Sequence, residues 1–177
     1  MSSESIELST SATFAISFTP ANYVQNMVVI VTAPSQVAVP SGSCTPTQVS
    51  GVDSGLTCTF DNGANTITVN NAFSSATAPS TVSFKVASLT NPSAYGTTDS
   101  FQIFTQTSSG DGIDSITAGL TVEYACDSSC KTCGASATTC TSCYTTSTLK
   151  YLAENSCVDT CPAGSYASTS SNECVSC

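Results

Sequence analysis

The chain has 177 residues, of which 12 are Asp or Glu, only 3 are Lys or Arg and none is His or Trp, for a formal net charge of −9. Three basic side chains cannot neutralise a run of phosphates, which argues against nucleic acid and anionic membrane surfaces as partners. Only 8% of residues are charged while about a third are Ser or Thr, a balance that suits β-structure, where Thr and Val pack well on pleats.

This length allows one domain or two small ones. The start, Met-Ser-Ser-Glu-Ser-Ile-Glu-Leu, has neither the positive region nor the apolar region of a secretory signal. The longest apolar run, Met27 to Val31, is far too short to span a membrane as a helix. Eleven cysteines in so short a chain point to an oxidising compartment. The sequence therefore reads as a mature or excised piece of a secreted or cell-surface protein, any anchor lying outside these residues.

From residue 5 to 125 the pattern is all-β. Ala12 to Thr19 alternates, with Phe14, Ile16 and Phe18 on one face, until Pro20 and Asn22 break it. Met27 to Thr32 is a continuous β-branched run of the kind expected in a strand buried on both sides, closed by Ala33-Pro34. Gln36 to Val39 is a shorter strand candidate ending at Pro40. Leu56–Phe60 and Thr66–Val69 flank Asp61-Asn62-Gly63-Ala64-Asn65, a hairpin signal of the Asn-Gly kind. Thr81 to Leu89 alternates, placing Val82, Phe84, Val86 and Leu89 inward. Phe101, Ile103 and Thr105 form another alternating face, as do Ile116, Ala118, Leu120, Val122 and Tyr124. No ten-residue stretch has helical periodicity. Seven to nine short strands over residues 1–124 predict an antiparallel β-sandwich of immunoglobulin-like size. The Trp and the long Cys-to-Cys separation of true immunoglobulin domains are absent.

Cys44 and Cys58 are the only cysteines of that half and are expected to pair. Their loop of about 15 residues gives roughly 3 kcal/mol in the chain-entropy model. The other nine lie in 125–177 with the spacing C-x3-C-x2-C-x6-C-x2-C-x13-C-x3-C-x12-C-x2-C: Cys126, Cys130, Cys133, Cys140, Cys143, Cys157, Cys161, Cys174 and Cys177. The residues between them carry too little apolar surface to build a core, so cross-links are expected to hold this second domain.

Three site chemistries can be weighed. The Gly-rich acidic loop Ser108–Asp114 supplies oxygen ligands suited to Ca²⁺, with Asp111 and Asp114 the candidate metal ligands, although Asp-Gly is also ordinary turn chemistry. The C-x2-C-x6-C-x2-C run has zinc-ligand spacing, but zinc requires thiolates, and in an oxidising compartment disulfides are expected instead. For catalysis the usual general base and anion clamps are missing, since the chain has no His and no Arg. Glu4, Glu7, Glu123, Glu154 and Glu173 are scattered and lack an aromatic platform for a sugar. No catalytic residue and no cofactor is therefore expected. Pro92 blocks the Asn91-Pro92-Ser93 glycan acceptor. Asn155 and Asn172 stand in the rarer Asn-x-Cys form, and clusters such as Ser74-Ser75 and Thr145-Thr146 are candidate O-glycan carriers.

The spacing from Cys126 to Cys177, with Cys157-Val-Asp-Thr-Cys161-Pro162-Ala-Gly164-Ser-Tyr166 inside it, resembles the furin-like, growth-factor-receptor cysteine-rich repeat over about 52 residues. The resemblance implies a rod of small stacked modules with the pairs Cys126–Cys133, Cys130–Cys140, Cys143–Cys157 and Cys161–Cys174. Cys177 is then left over to pair downstream, as if one repeat hands over to the next. A competing scheme, with Cys130–Cys140, Cys133–Cys143, Cys157–Cys174 and Cys161–Cys177, orphans Cys126. A sandwich with the Leu89-Thr90-Asn91-Pro92-Ser93 loop followed by such a tail is similar to large surface proteins of protists such as ciliates.

The expectation is a non-enzymatic extracellular structural or adhesive protein, with sandwich domains spaced by cysteine-rich rods. Its partners would be neighbouring repeats, further copies of itself, or glycans. The N-terminal stretch Ser5-Ile6-Glu7-Leu8 is the candidate for strand addition to a neighbour. Two other classes are a receptor ectodomain that binds a soluble ligand and a Ca²⁺-dependent carbohydrate binder.

Overall fold

A computed structural model describes residues 1–5, 7–22, 25–52, 55–72, 81–134 and 136–177. No helix occurs among them. They cluster into two compact units: one holds most of the chain up to Glu123, and the other holds Tyr124–Cys177 with Glu7, Leu8 and Ala94–Gly96.

The first unit is built from two antiparallel sheets. One contains β1 (Ser2–Ser3), β2 (Ser11–Phe18), β5 (Thr47–Ser50) and β8 (Val82–Thr90), in the order β1-β2-β8-β5. The other contains β3 (Val28–Thr32), β4 (Gly42–Cys44), β6 (Thr57–Asp61), β7 (Thr66–Asn70), β10 (Gln102–Gln106) and β11 (Gly112–Ile116), in the order β11-β10-β3-β7-β6-β4. The two-residue strands β9 (Gly96–Thr97) and β12 (Glu123–Tyr124) lie where the two units divide.

The alternation of the sequence shows why these sheets face each other. Phe14, Ile16 and Phe18 of β2 and Val82, Phe84 and Val86 of β8 are buried on one inner face, and Val29, Val31, Ile67, Val69 and Ile103 on the other. The rings of Phe14 and Phe101 lie 5.8 Å apart across this core. Burying a side chain of this size stabilises by roughly 1.5–3 kcal/mol. Leu89 is buried as well, although it is three residues from Val86 and period two alone would turn it out. The register explains this: Ala12 opposes Leu89 while Phe14 opposes Val86. Ala87 and Ser88 therefore share one opposing position, Thr13, in a bulge where Ser88 takes φ 73°.

Several expectations are corrected. Val28 and Ile30 of β3 are only half-buried while Val29 and Val31 are buried. The strand is central in its sheet, between β10 and β7, but only one face of that sheet meets the core. Gln36–Val39 is not a strand. It turns through a Val37 N–H bond to Pro34 O and touches β8 at one bridge, Ala38 to Thr90. The face from Ile116 to Tyr124 is not one strand either. β11 stops at Ile116, Ala118 is exposed, and Gly119 takes φ 82° in the turn that follows. The short edge strands β1, β4 and β5 carry no alternating apolar signal and are additions to the sequence reading.

The residues ahead of the Ser5–Leu8 stretch lie in a sheet, and Ser5 is tied to Asn91. Ser2 and Ser3 already pair with Ala15 and Phe14 at the edge of β2. Asn91, 3% exposed, accepts from Ser3 Oγ at 3.1 Å and donates to Ser5 O at 2.9 Å. Glu4 forms an ion pair with Lys85. Ile6 of the Ser5–Leu8 stretch and the Ser74-Ser75 pair lie outside the described residues.

The β6–β7 hairpin does more than reverse the chain. Asn65, at φ 53°, closes its four-residue loop. Its Nδ2 donates toward Ala33 O, Pro34 O and Val37 O at 3.0, 3.2 and 3.0 Å, and its Oδ1 accepts the Val39 N–H at 3.0 Å. Asn62 Nδ2 donates to Val39 O at 2.8 Å. Two turn asparagines thus satisfy the backbone of an irregular segment, 33–39, that has no ladder of its own, and so hold Val37 and Val39 in the core.

Candidate functional site: a ladder of cystines ending in a free thiol

In the first unit Cys44 and Cys58 face each other directly in the β4–β6 pair, with Cα atoms 5.0 Å apart, and their disulfide ties an edge strand to the sheet. The second unit carries four disulfides, each joining a strand residue to a cysteine outside the strands. Its strands are β13 (Thr132–Cys133) and β14 (Cys140–Ser142), which form one hairpin, then β15 (Tyr151–Ala153), β16 (Ser156–Val158), β17 (Ser165–Ser168) and β18 (Glu173–Ser176), which form a sheet in the order β16-β15-β18-β17.

Local chemistry places each strand. Asp127 sits in the first C-x3-C turn, where its Oδ1 accepts the Ser129 N–H at 2.9 Å and the Ser129 hydroxyl at 2.6 Å. Its backbone carbonyl accepts the Cys130 N–H at 2.9 Å. This is the side-chain mimic of a turn that Asp forms readily. The Ser129 hydroxyl, then its backbone N–H, hold the Asp127 carboxyl below its ordinary range, against a smaller opposing effect of burial. Glu154 and Asn155 both take positive φ, 46° and 70°, between the paired residues Ala153 and Ser156. That is the two-residue turn that matches strand twist in a tight hairpin. Asn172 (φ 56°) ends the β17–β18 loop, and its carbonyl accepts the Leu152 N–H at 2.9 Å. Two Asn-x-Cys asparagines are therefore turn formers.

The turns bring the sulfurs together as Cys126–Cys133, Cys130–Cys140, Cys143–Cys157 and Cys161–Cys174, with Cα separations of 5.7, 5.1, 5.8 and 5.5 Å. Loops of these lengths are worth roughly 2.5–3 kcal/mol each in the chain-entropy model. Cys130, Cys140, Cys143 and Cys157 are themselves the buried centre, with Cys126, Cys133, Leu149 and Leu152 packed against them. Sulfur takes the place that Leu and Val occupy in the first unit.

Cys177 is free and exposed. Its backbone is not loose, because its N–H donates to Gly164 O at 3.0 Å and extends the β17–β18 pairing by one position. Tyr166, on the outer strand β17, is 55% exposed, and Tyr144 is 46% exposed. Thr145 and Thr146, the O-glycan candidates of this unit, are exposed. A shallow polar hollow of about 200 Å³ lies between Lys131, Thr141, Thr145 and Glu173, over Cys143 and Leu152.

The structure places the two candidate metal ligands in the β10–β11 hairpin, each engaged by its own chain. Asp114 accepts the Asn22 N–H at 2.9 Å and Asn22 Nδ2 at 2.8 Å. Asp111 accepts the Thr107 hydroxyl at 3.3 Å. Among the described residues no three His, Cys, Asp or Glu side chains converge as a ligand set. No family model, no curated protein and no solved structure matches this chain.

Proposed function

We propose that this chain is a non-enzymatic, extracellular structural or adhesive protein, a surface or filament component in which a β-sandwich is spaced by a cysteine-rich module of the furin-like kind. The observation that carries this reading is the interior of the second unit, which is made of cystines rather than hydrocarbon. Such a unit holds its shape only where disulfides persist, so it suits a protein exported to an oxidising space. A cross-linked ladder of short strands suits a spacer, which must keep its geometry without a large core. The Ser- and Thr-rich faces then serve contacts with further copies, neighbouring repeats or glycans.

The test is made in the cells that produce the chain. An antibody against it should label the unpermeabilised surface, and the antigen should resist detergent until a thiol reductant is added. Release by detergent alone would point to a receptor ectodomain, and release by a chelator or a free sugar to a Ca²⁺-dependent carbohydrate binder. Antigen confined to the reducing cytosol would overturn the reading altogether.

A further inference from the structure

We infer that Asn62 is a site of spontaneous deamidation, and that its conversion unlocks the 33–39 segment from the β6–β7 hairpin. Of the nine asparagines in the chain, Asn62 alone is followed by glycine. Asn62 and Gly63 are both exposed at the hairpin tip. Glycine puts no side chain over its own amide and lets the backbone turn freely. Asp61 Oδ1, beside this turn, takes the Ala64 N–H at 3.1 Å. The bond that closes the loop, Asn65 N–H to Asn62 O, is long at 3.4 Å and so restrains the Asn62–Gly63 peptide weakly.

The chemistry needs only water. The Gly63 amide nitrogen attacks Cγ of Asn62, so a Gly63 N–Cγ bond forms and the Cγ–Nδ2 bond breaks. Nδ2 leaves as ammonia, taking up the amide proton. Water then opens the resulting five-membered imide at either carbonyl, leaving aspartate or isoaspartate. Ammonia is released, one water is consumed, and nothing is oxidised or reduced.

The surrounding structure turns this small change into a local release. Asn62 Nδ2 is the donor to Val39 O. Its replacement by a carboxylate sets two acceptors against each other and puts a second negative charge beside Asp61. Isoaspartate also lengthens the backbone of a loop whose other end is Asn65, the residue that holds the carbonyls of 33–37 and the Val39 N–H. Val37 and Val39 are fully buried, so their segment cannot loosen without opening the core.

The oxidised chain is held at physiological temperature and slightly alkaline pH beside a synthetic peptide of residues 59–66, with peptide mapping and enzymatic isoaspartate labelling over time. Asn62 is expected to convert in the folded chain, faster than Asn155, which precedes serine. Gly63→Ala should slow the conversion at least about tenfold, because a Cβ restricts the backbone that must turn. If Asn62 stays intact after the peptide has fully converted, the folded turn protects it and the site is refuted. A separate variant tests the unlocking: Asn62→Asp should lower the thermal midpoint and speed hydrogen exchange at the Val39 amide, and wild-type values for both would refute it.

Discussion

Replacing Asn65 with glycine removes its side chain while keeping a residue at ease with φ 53°. Its Nδ2 carries two hydrogens, so of the three carbonyls in reach only two are bonded at once. With the Val39 N–H on Oδ1, three bonds are lost together. At about 1 kcal/mol net for each, the variant should be less stable by about 3 kcal/mol. For a chain of this size that corresponds to a fall of about 6–12 °C in the melting midpoint. Calorimetry on oxidised protein, paired with urea unfolding, measures it. Asn65→Asp keeps the acceptor and loses the donors, so it should fall between wild type and Asn65→Gly. An Asn65→Gly variant within about 1 kcal/mol of wild type would show that 33–39 is held without the Asn65 side chain, and the argument from its hydrogen bonds would fail.

Three further outcomes follow from single sites. Tyr95 Oη is buried without a hydrogen-bond partner among the described residues, so Tyr95→Phe should stabilise by about 1 kcal/mol in urea unfolding, and a loss would show a partner for the hydroxyl. Burial first, then the charge of Glu7, raise the Tyr95 phenol. Its contribution to stability is therefore intact below the ordinary phenol pKa and is lost as pH climbs through the folded value, an alkaline fall that Tyr95→Phe should lack. Asp127 shifts the other way: its contribution is present above the ordinary carboxyl pKa and disappears as pH falls through the lowered one. Ser129→Ala should flatten that acid limb, and an unchanged acid titration by NMR would count against the turn as drawn. Gly51, at φ 68°, would put a Cβ 2.3 Å from Thr81 O, so Gly51→Ala should cost about 2–3 kcal/mol in thermal unfolding. A neutral result would mean that β5 moves off β8 without penalty.

The elements legible in the sequence are those whose period matches their environment. The faces Phe14-Ile16-Phe18 and Phe101-Ile103-Thr105 alternate because one side meets the core, and these residues are all buried. The Asp61–Asn65 turn was also readable, because turn chemistry is local. The pattern carries no signal where backbone bonds are made by distant side chains. Nothing near Val37 shows that Asn65 holds its carbonyl, so a buried irregular segment with two valines resembles a strand. Leu120 belongs to an alternation too, yet its carbonyl accepts the Phe101 N–H at 2.8 Å outside any strand, and only the tertiary arrangement determines that. In the cysteine-rich half the spacing pointed to cross-links, while the positions of the turns rest on Asp127, Glu154, Asn155 and Asn172, residues with no apolar pattern around them.

The sulfur-built interior of the second unit has a thermal consequence. Unfolding a hydrocarbon core exposes apolar area to water, which produces the heat-capacity increment that bends a stability curve downward on cooling and sets the steepness of denaturant transitions. A unit centred on Cys130, Cys140, Cys143 and Cys157 has little such area to expose, and with its cystines intact its unfolded chain is already confined. Its stability should vary little with temperature, its urea transition should be broad and shallow, and cold should not weaken it as it weakens the sandwich. Reductant, rather than heat, is the condition to which this unit is most sensitive.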